Sequence, residues 1–210
     1  MSKENGNFMA AIEAEFIESI YVKQQVIEGH LSTINDIANL LIESLRAGNK
    51  VLFFGNGGSA ADSQHIAGEL VGKFRRVRKA MPAIALTTDT SILTSIGNDF
   101  GYDYIFARQI EALGQPGDVA IGISTSGNSP NVLRALQAAR DIGMATVGFT
   151  GESGGQMPDC VDICLNAPSD STPRIQEVHI TAGHIICEMV EKTFAGADLK
   201  PAPAPGSSDA

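Results

Sequence analysis

Val51-Leu52-Phe53-Phe54-Gly55-Asn56-Gly57-Gly58-Ser59-Ala60 is the stretch from which the rest of the chain is read. Four consecutive apolar residues suit a strand buried on both faces, and the small residues after them open a helical stretch. Glycines let a backbone approach a ligand closely, while a helix start offers unpaired N–H groups and the positive end of a dipole. The segment reads as strand, tight turn and anion-binding helix start. It also fits the dinucleotide fingerprint formally. That reading needs an acidic residue at the end of a second strand about 20 positions on. The nearby Asp62 and Glu69 fall inside the helix itself, and no phosphate-loop lysine follows the glycines. A nicotinamide-dependent oxidoreductase is disfavoured.

Downstream, β-type runs at 83–86, 119–124, 146–149 and 161–165 join the first at 51–54. Helical stretches at roughly 59–72, 103–113, 130–142 and 174–194 separate them. Alternation of this kind implies right-handed crossovers, hence a five-stranded parallel sheet with helices on both faces, a three-layer α/β/α architecture. Upstream, residues 8–47 read as two helices. Ile12, Phe16, Ile20 and Ile27 mark the first, and Ile34, Ile37, Leu41 and Leu45 the second. Gly29 breaks the first, Thr33 with Asp36 resembles a capping box opening the second, and Gly48 ends it. Their apolar surface is expected to pack on the α/β body and on another subunit. One domain over 1–195 is expected, followed by a disordered Pro/Ala-rich tail at 196–210 with nothing to bury.

Bulk properties narrow the function classes. The 210-residue chain is 43% hydrophobic and 19% charged, with a formal net charge of −9. An acidic protein is a poor general binder of nucleic acid, which needs a basic face. No apolar run approaches the ~20 residues of a membrane helix, and the opening residues lack the apolar core of a leader, so a cytoplasmic protein is expected. Cys160, Cys164 and Cys187 form no CxxC pair. They read as buried, reduced thiols.

Three further groups of residues carry chemistry. Ser124-Thr125-Ser126-Gly127-Asn128-Ser129-Pro130 again lies between a strand and a helix, with Ser129 suited to the N-cap and Pro130 to the first helical position. Its hydroxyls and helix-start amides can donate to phosphate oxygens. Both loops sit at carboxyl ends of strands, where open parallel sheets bind ligands. His65 and Glu69, four apart, share one helix face. The last helix adds Gln176, Glu177, His179 and His184 among apolar residues. Gln176 and His184 lie roughly 80° apart on the helical wheel and can serve one cavity at different depths. The basic run Lys73, Arg75, Arg76, Arg78 and Lys79 reads as a solvated loop.

The stretches GNGGSAADSQHIAGEL, GNDFGYD, GDVAIGISTSGNSPNV and STPRIQEVHITAGHI together resemble the phosphoheptose isomerases of the sugar-isomerase (SIS) superfamily, over residues 10–194. The resemblance implies the SIS fold, with the amino-terminal helices used in oligomerisation. It implies conversion of sedoheptulose 7-phosphate to D-glycero-D-manno-heptose 7-phosphate, opening the supply of ADP-heptose for bacterial surface glycans such as lipopolysaccharide. It also implies a cytoplasmic homotetramer with active sites at subunit junctions, one zinc per subunit, and no nucleic-acid or membrane partner. Carried over by position, substrate contacts fall on Asn56, Gly57, Gly58, Ser59, Glu69, Asn98, Asp99, Ser124, Thr125, Ser126, Ser129 and Gln176. Zinc ligands fall on His65, Glu69, Gln176 and His184. The acid/base pair falls on Glu69 and His184, with Glu69 the favoured base. Thr172-Pro173 stands where the family can carry an aspartate, and no role is assigned there. Alternatives are a non-catalytic SIS regulatory protein of the replication-initiator-associating type, and an isomerase of hexose or pentose phosphates.

Overall fold

The computed structural model describes residues 7–195; the expected tail at 196–210 lies outside the described residues. Its elements run α1 (Met9–Gly29), α2 (Leu31–Arg46), β1 (Val51–Gly55), α3 (Gly58–Val71), β2 (Ala83–Ala85), α4 (Thr90–Asp99), α5 (Ala107–Leu113), β3 (Val119–Ile123), α6 (Pro130–Ile142), β4 (Ala145–Thr150), β5 (Ile163–Asn166) and α7 (Thr172–Phe194). Short 3-10 turns at Tyr102–Tyr104 and Met157–Cys160 complete the set.

The five strands pair in parallel, in the order β2-β1-β3-β4-β5. Alternation along each strand feeds two cores. Val51 and Phe53 of β1, with Val119, Ile121 and Ile123 of β3, pack against α2, α3 and α7. Leu52, Phe54 and Ala120 face the opposite layer, where Phe106, Ile110, Val132, Leu136 and Ala139 close over them. The three-layer expectation holds. The chain reverses its direction of winding between β1 and β3, so α3 leaves for one face and α6 for the other. The two loops expected to hold an anion therefore flank the switch point, where the diverging helices open a crevice.

Several details differ from the sequence reading. The segment 90–99 forms α4, which the pattern did not signal: Thr-Ser-Ile-Leu-Thr-Ser-Ile-Gly is rich in poor helix formers, and the helix buries no residue fully. Its start is fixed locally, by the Asp89 carboxylate accepting the Ile92 N–H at 2.9 Å. The capping box at Thr33 does not form, because α2 begins at Leu31 with His30 as its N-cap. His30 donates back to Val26 and accepts from Ile34, so one residue joins the helices and no capping loop is left. Cys187 is buried, but Cys160 and Cys164 are half-buried; all three are free thiols. Burial pushes the Cys164 thiol up to about 11 and the Cys187 thiol up to about 12.

The two amino-terminal helices part company. α2 buries Ile34, Ile37, Leu41 and Leu45 as expected. α1 buries only Val22 and Val26, leaving Ile12, Phe16, Ile20 and Ile27 exposed. Polar contacts fasten it instead: buried Arg174 of α7 donates to the Glu15 carbonyl at 2.6 Å and to Glu177 at 2.7 Å, while Ser19 donates to Glu177 at 2.6 Å. No helix among the described residues is long and apolar enough to cross a membrane.

Candidate active site

The cradle at the switch point is built from both strand-end loops. α3 starts with Gly57 as its N-cap and no side-chain cap, which leaves its first amides free for a ligand. Ser59, in that first turn, is buried. After β3, the Ser124 and Ser129 hydroxyl oxygens lie 2.9 Å apart, with the Ser126 hydroxyl 3.5 Å from Ser124. Ser129 is the N-cap of α6 and Pro130 its first residue, as expected, yet the Ser129 hydroxyl makes no cap bond. It faces the serine cluster instead. Thr125 and Ser126 turn towards a neighbouring cavity of about 430 Å³ over the ends of β3–β5, shared with Glu152, Ser169 and Asp170.

An amide pair that sequence reasoning missed joins the loops. Asn56 and Asn131 exchange two hydrogen bonds of 2.9 Å, and the Tyr102 hydroxyl adds a third to Asn56 at 3.2 Å. Asn131 is only 2% exposed. Its signal was available: it directly follows the Pro130 helix start. Asn98 and Asp99, by contrast, sit exposed at the end of α4 and bond to each other at 2.7 Å. No hydrogen bond joins them to the cradle among the described residues.

The second group crosses from α3 to α7. His65 Nε2 lies 2.9 Å from His184 Nε2 and 3.2 Å from Glu69 Oε1. One ligand-type atom from each of the three falls within 4.8 Å of the others. Tetrahedral zinc with bonds of about 2.0–2.1 Å spaces its ligand atoms about 3.4 Å apart, so two imidazole nitrogens and a carboxylate at these separations fit such an ion. Gln176 is placed differently, against the cradle. A Cβ at Gly58 would come 2.5 Å from Gln176 Nε2, so the missing side chain is what admits that amide. Gln176 thus borders the start of α3. Asp62, one turn before His65, is half-buried. Desolvation raises its carboxyl above the ordinary range, against the opposing pull of His65 and then His184.

The basic run is not a solvated loop throughout. Arg78 is 7% exposed and donates to the Glu69 and Leu70 carbonyls, each at 2.7 Å. A cation thereby closes the carboxyl end of α3, in the turn that carries Glu69. Arg76 reaches Glu188 of α7 at 3.0 Å.

The SIS domain family model matches residues 15–151, the stretch that holds β1 to β4 and both strand-end loops. A phosphoheptose isomerase of Roseiflexus sp. is 58% identical, the alignment covering 92% of this chain and 98% of that protein. The solved phosphoheptose isomerase of Neisseria gonorrhoeae superposes with a TM-score of 0.84 at 42% identity, over 89% of this chain and all of the other. That of Francisella tularensis gives 0.86 at 36% identity, with the same coverage of this chain. The chain belongs to the phosphoheptose isomerase family.

Proposed function

We propose that this enzyme converts sedoheptulose 7-phosphate into D-glycero-D-manno-heptose 7-phosphate, supplying ADP-heptose synthesis. The observation that carries the mechanism is the convergence of Glu69 and His184, from different helices, beside a phosphate cradle. Family membership favours the isomerase over the regulatory alternative, and the chain carries both residues, Glu69 and His184, that the reading assigns to proton transfer.

In the proposed reaction the cradle amides of α3 and α6, with Ser59, Ser124, Thr125, Ser126 and Ser129, hold the phosphate. The ketose carbonyl end then reaches the α3–α7 cluster. Glu69 removes a proton from C1 while His184 delivers one to the C2 oxygen, forming the enediol. Return of a proton to C2, with loss of the C1 hydroxyl proton, yields the aldose. No net redox change occurs. A zinc ion held by His65, Glu69, Gln176 and His184 would, when bound, polarise the sugar oxygens. Glu69 bound to the metal is a weaker base, so the metal and the proton compete for one carboxylate.

The assembly is proposed to be a homotetramer. The exposed Ile12–Phe16–Ile20 stripe of α1 calls for a partner. So does an apolar cavity of about 260 Å³, lined in part by Ile27, Leu31, Ile34 and Ile185. A second copy brought onto this face is the proposed source of completed active sites, including contacts for Asn98 and Asp99. The test is direct: full-length protein is given sedoheptulose 7-phosphate, with and without a chelator, and aldose phosphate is measured. Product is expected, with a loss on chelation that zinc restores. No aldose under either condition, with or without added zinc, rules the assignment out.

A further inference from the structure

Glu191 of α7 is fully buried and has no part in the proposed chemistry. Its carboxylate accepts three successive backbone N–H groups, from Phe74 at 2.9 Å, Arg75 at 2.8 Å and Arg76 at 2.9 Å. Burial works against its charge. The three amides of Arg75, Phe74 and Arg76, with Arg78 nearby, outweigh that and hold the carboxyl below its ordinary range. The segment so gripped belongs to no helix or strand, so Glu191 supplies the fixation that a ladder would otherwise give.

What the grip holds in place is Phe74. Its ring stacks on the His184 imidazole, with centroids 5.5 Å apart and planes 24° apart. The Arg75 guanidinium stands 5.1 Å from the Phe74 centroid, and Glu188 restrains that arginine at 3.2 Å. His65 lies at a different angle to the same imidazole, 4.9 Å away and tilted by 59°. Among the described residues, His184 makes its one hydrogen bond through Nε2 to His65, and none through Nδ1. A histidine at a reacting centre ordinarily has its second nitrogen fixed by a carboxylate or a carbonyl. Here the ring face is fixed instead, by an aromatic wall.

We infer that Phe74, clamped by Glu191, is the positioning residue that sets the orientation of the His184 ring. The inference rests on the proposed role of His184 in proton transfer. The fold supplies the reason for the design: α7 carries His184, Glu188 and Glu191 on successive turns, so one helix presents both the working imidazole and the carboxylate that holds its support.

The experiment compares Phe74→Leu, Phe74→Tyr and Glu191→Gln in the full-length, zinc-loaded protein. Phe74→Leu is expected to lower kcat by about 10–100-fold, the cost of a misplacement on the order of 1 Å, with KM within about threefold. Phe74→Tyr keeps the ring and is expected to stay within about threefold of the parent. Glu191→Gln turns an amide N–H towards the backbone donors and is expected to follow Phe74→Leu; combining the two adds little, because they act through one contact. A second readout does not depend on the reaction assignment. NMR of the histidine side chains, with the His184 signal identified by its loss in His184→Gln, reports the aromatic ring directly above that imidazole. In Phe74→Leu and Glu191→Gln its ring-proton shifts should move towards solvent values, and in Phe74→Tyr they should not. Unmoved His184 signals in Phe74→Leu overturn the inference whatever the activity. Moved signals with unchanged kcat overturn the catalytic consequence. Loss of sugar-phosphate turnover in the parent would refute the proposed function while leaving the NMR comparison intact.

Discussion

In the turn after β3 the Ser124 and Ser129 hydroxyls meet at 2.9 Å although the residues are only five positions apart; His65 and His184 approach equally closely across 119 positions. The cradle is local. Its geometry follows from a strand end, a tight turn and a helix start, each with its own turn chemistry, and the neighbouring loop is stitched on by one amide pair. The histidine–glutamate cluster is assembled by tertiary packing, with α3 and α7 meeting on one face of the sheet and a gripped loop walling it in. A local site can bind as soon as its turn forms. A site spanning two helices is only as accurate as the packing between them, and this is where the supporting contacts accumulate: Arg78 at the end of α3, Glu191 beneath the loop, and Phe74 on the ring.

The two regions should therefore fail differently. Glu69→Gln is the largest expected break. It keeps the size and one acceptor but removes the proposed base and a charged metal-type ligand. Its kcat should fall by about 10²–10⁴-fold with KM changed far less. Steady-state kinetics on the seven-carbon ketose phosphate makes the comparison. A loss confined to KM would place Glu69 in the binding region and erase the distinction drawn here.

The mounting of α7 gives the next effect. His179 is fully buried between Gln176 and His184, and its Nε2–H donates to the Thr150 carbonyl at 3.0 Å, tying the helix to the end of β4. Burial lowers its proton affinity to about 4, against a smaller opposing contribution from that hydrogen bond. The folded state thus binds this proton less readily than the unfolded chain. The stability it contributes is complete above the ordinary histidine value near 6.5 and is lost as pH falls from there to about 4. The total amounts to about 3 kcal/mol, at roughly 1.4 kcal/mol per tenfold change in proton affinity. Denaturant unfolding of the parent and His179→Gln at pH 7 and pH 4.5 should show a markedly smaller acid loss in the variant. Equal acid losses would mean that α7 is not anchored through a neutral His179.

The same contrast explains what could be read from the sequence. Strand positions, the α3 and α6 starts, the serine turn and the apolar side of α2 were all legible, because each follows from residues within a few positions of one another. α4 was not, since Thr90–Asp99 has weak helix propensity and gains its start from Asp89 and its place from the following Tyr102 turn. The burial of Arg78 was missed because its acceptors are carbonyls, which carry no sequence signal. Phe74 and Glu191 look like an ordinary aromatic and an ordinary helix charge until α7 is laid beside the loop. Family likeness bridged part of this gap for His184, whose nearness to the His65–Glu69 pair no local pattern could supply.

Gly58→Ala tests the hinge between the two regions. The new Cβ would meet Gln176 at its amide tip, which is flexible enough to swing aside, so unfolding stability should change little. Zinc affinity, measured by competition with a chromophoric chelator, should drop about tenfold if the Gln176 amide completes the metal site. Unchanged affinity would detach Gln176 from the cluster and assign it to the cradle alone.

Ser124→Ala carries the smallest expected effect and bears most directly on the cradle. The Ser124 oxygen is buried and lies within hydrogen-bonding reach of the Ser126 and Ser129 hydroxyls. Removing it takes away one proposed donor of several, while the helix-start amides and the remaining hydroxyls would still be available to an anion. A hydrogen bond in such a shared arrangement contributes about 1 kcal/mol, so KM should rise about fivefold and kcat should stay within about twofold. Inorganic phosphate, as a competitive inhibitor, should weaken by the same factor, because on this reading it would occupy the cradle without reaching Glu69 and His184. If phosphate inhibition were untouched while kcat fell, the serine turn would be acting on the reacting carbons, and the division between a local binding region and a packed catalytic one would have to be redrawn.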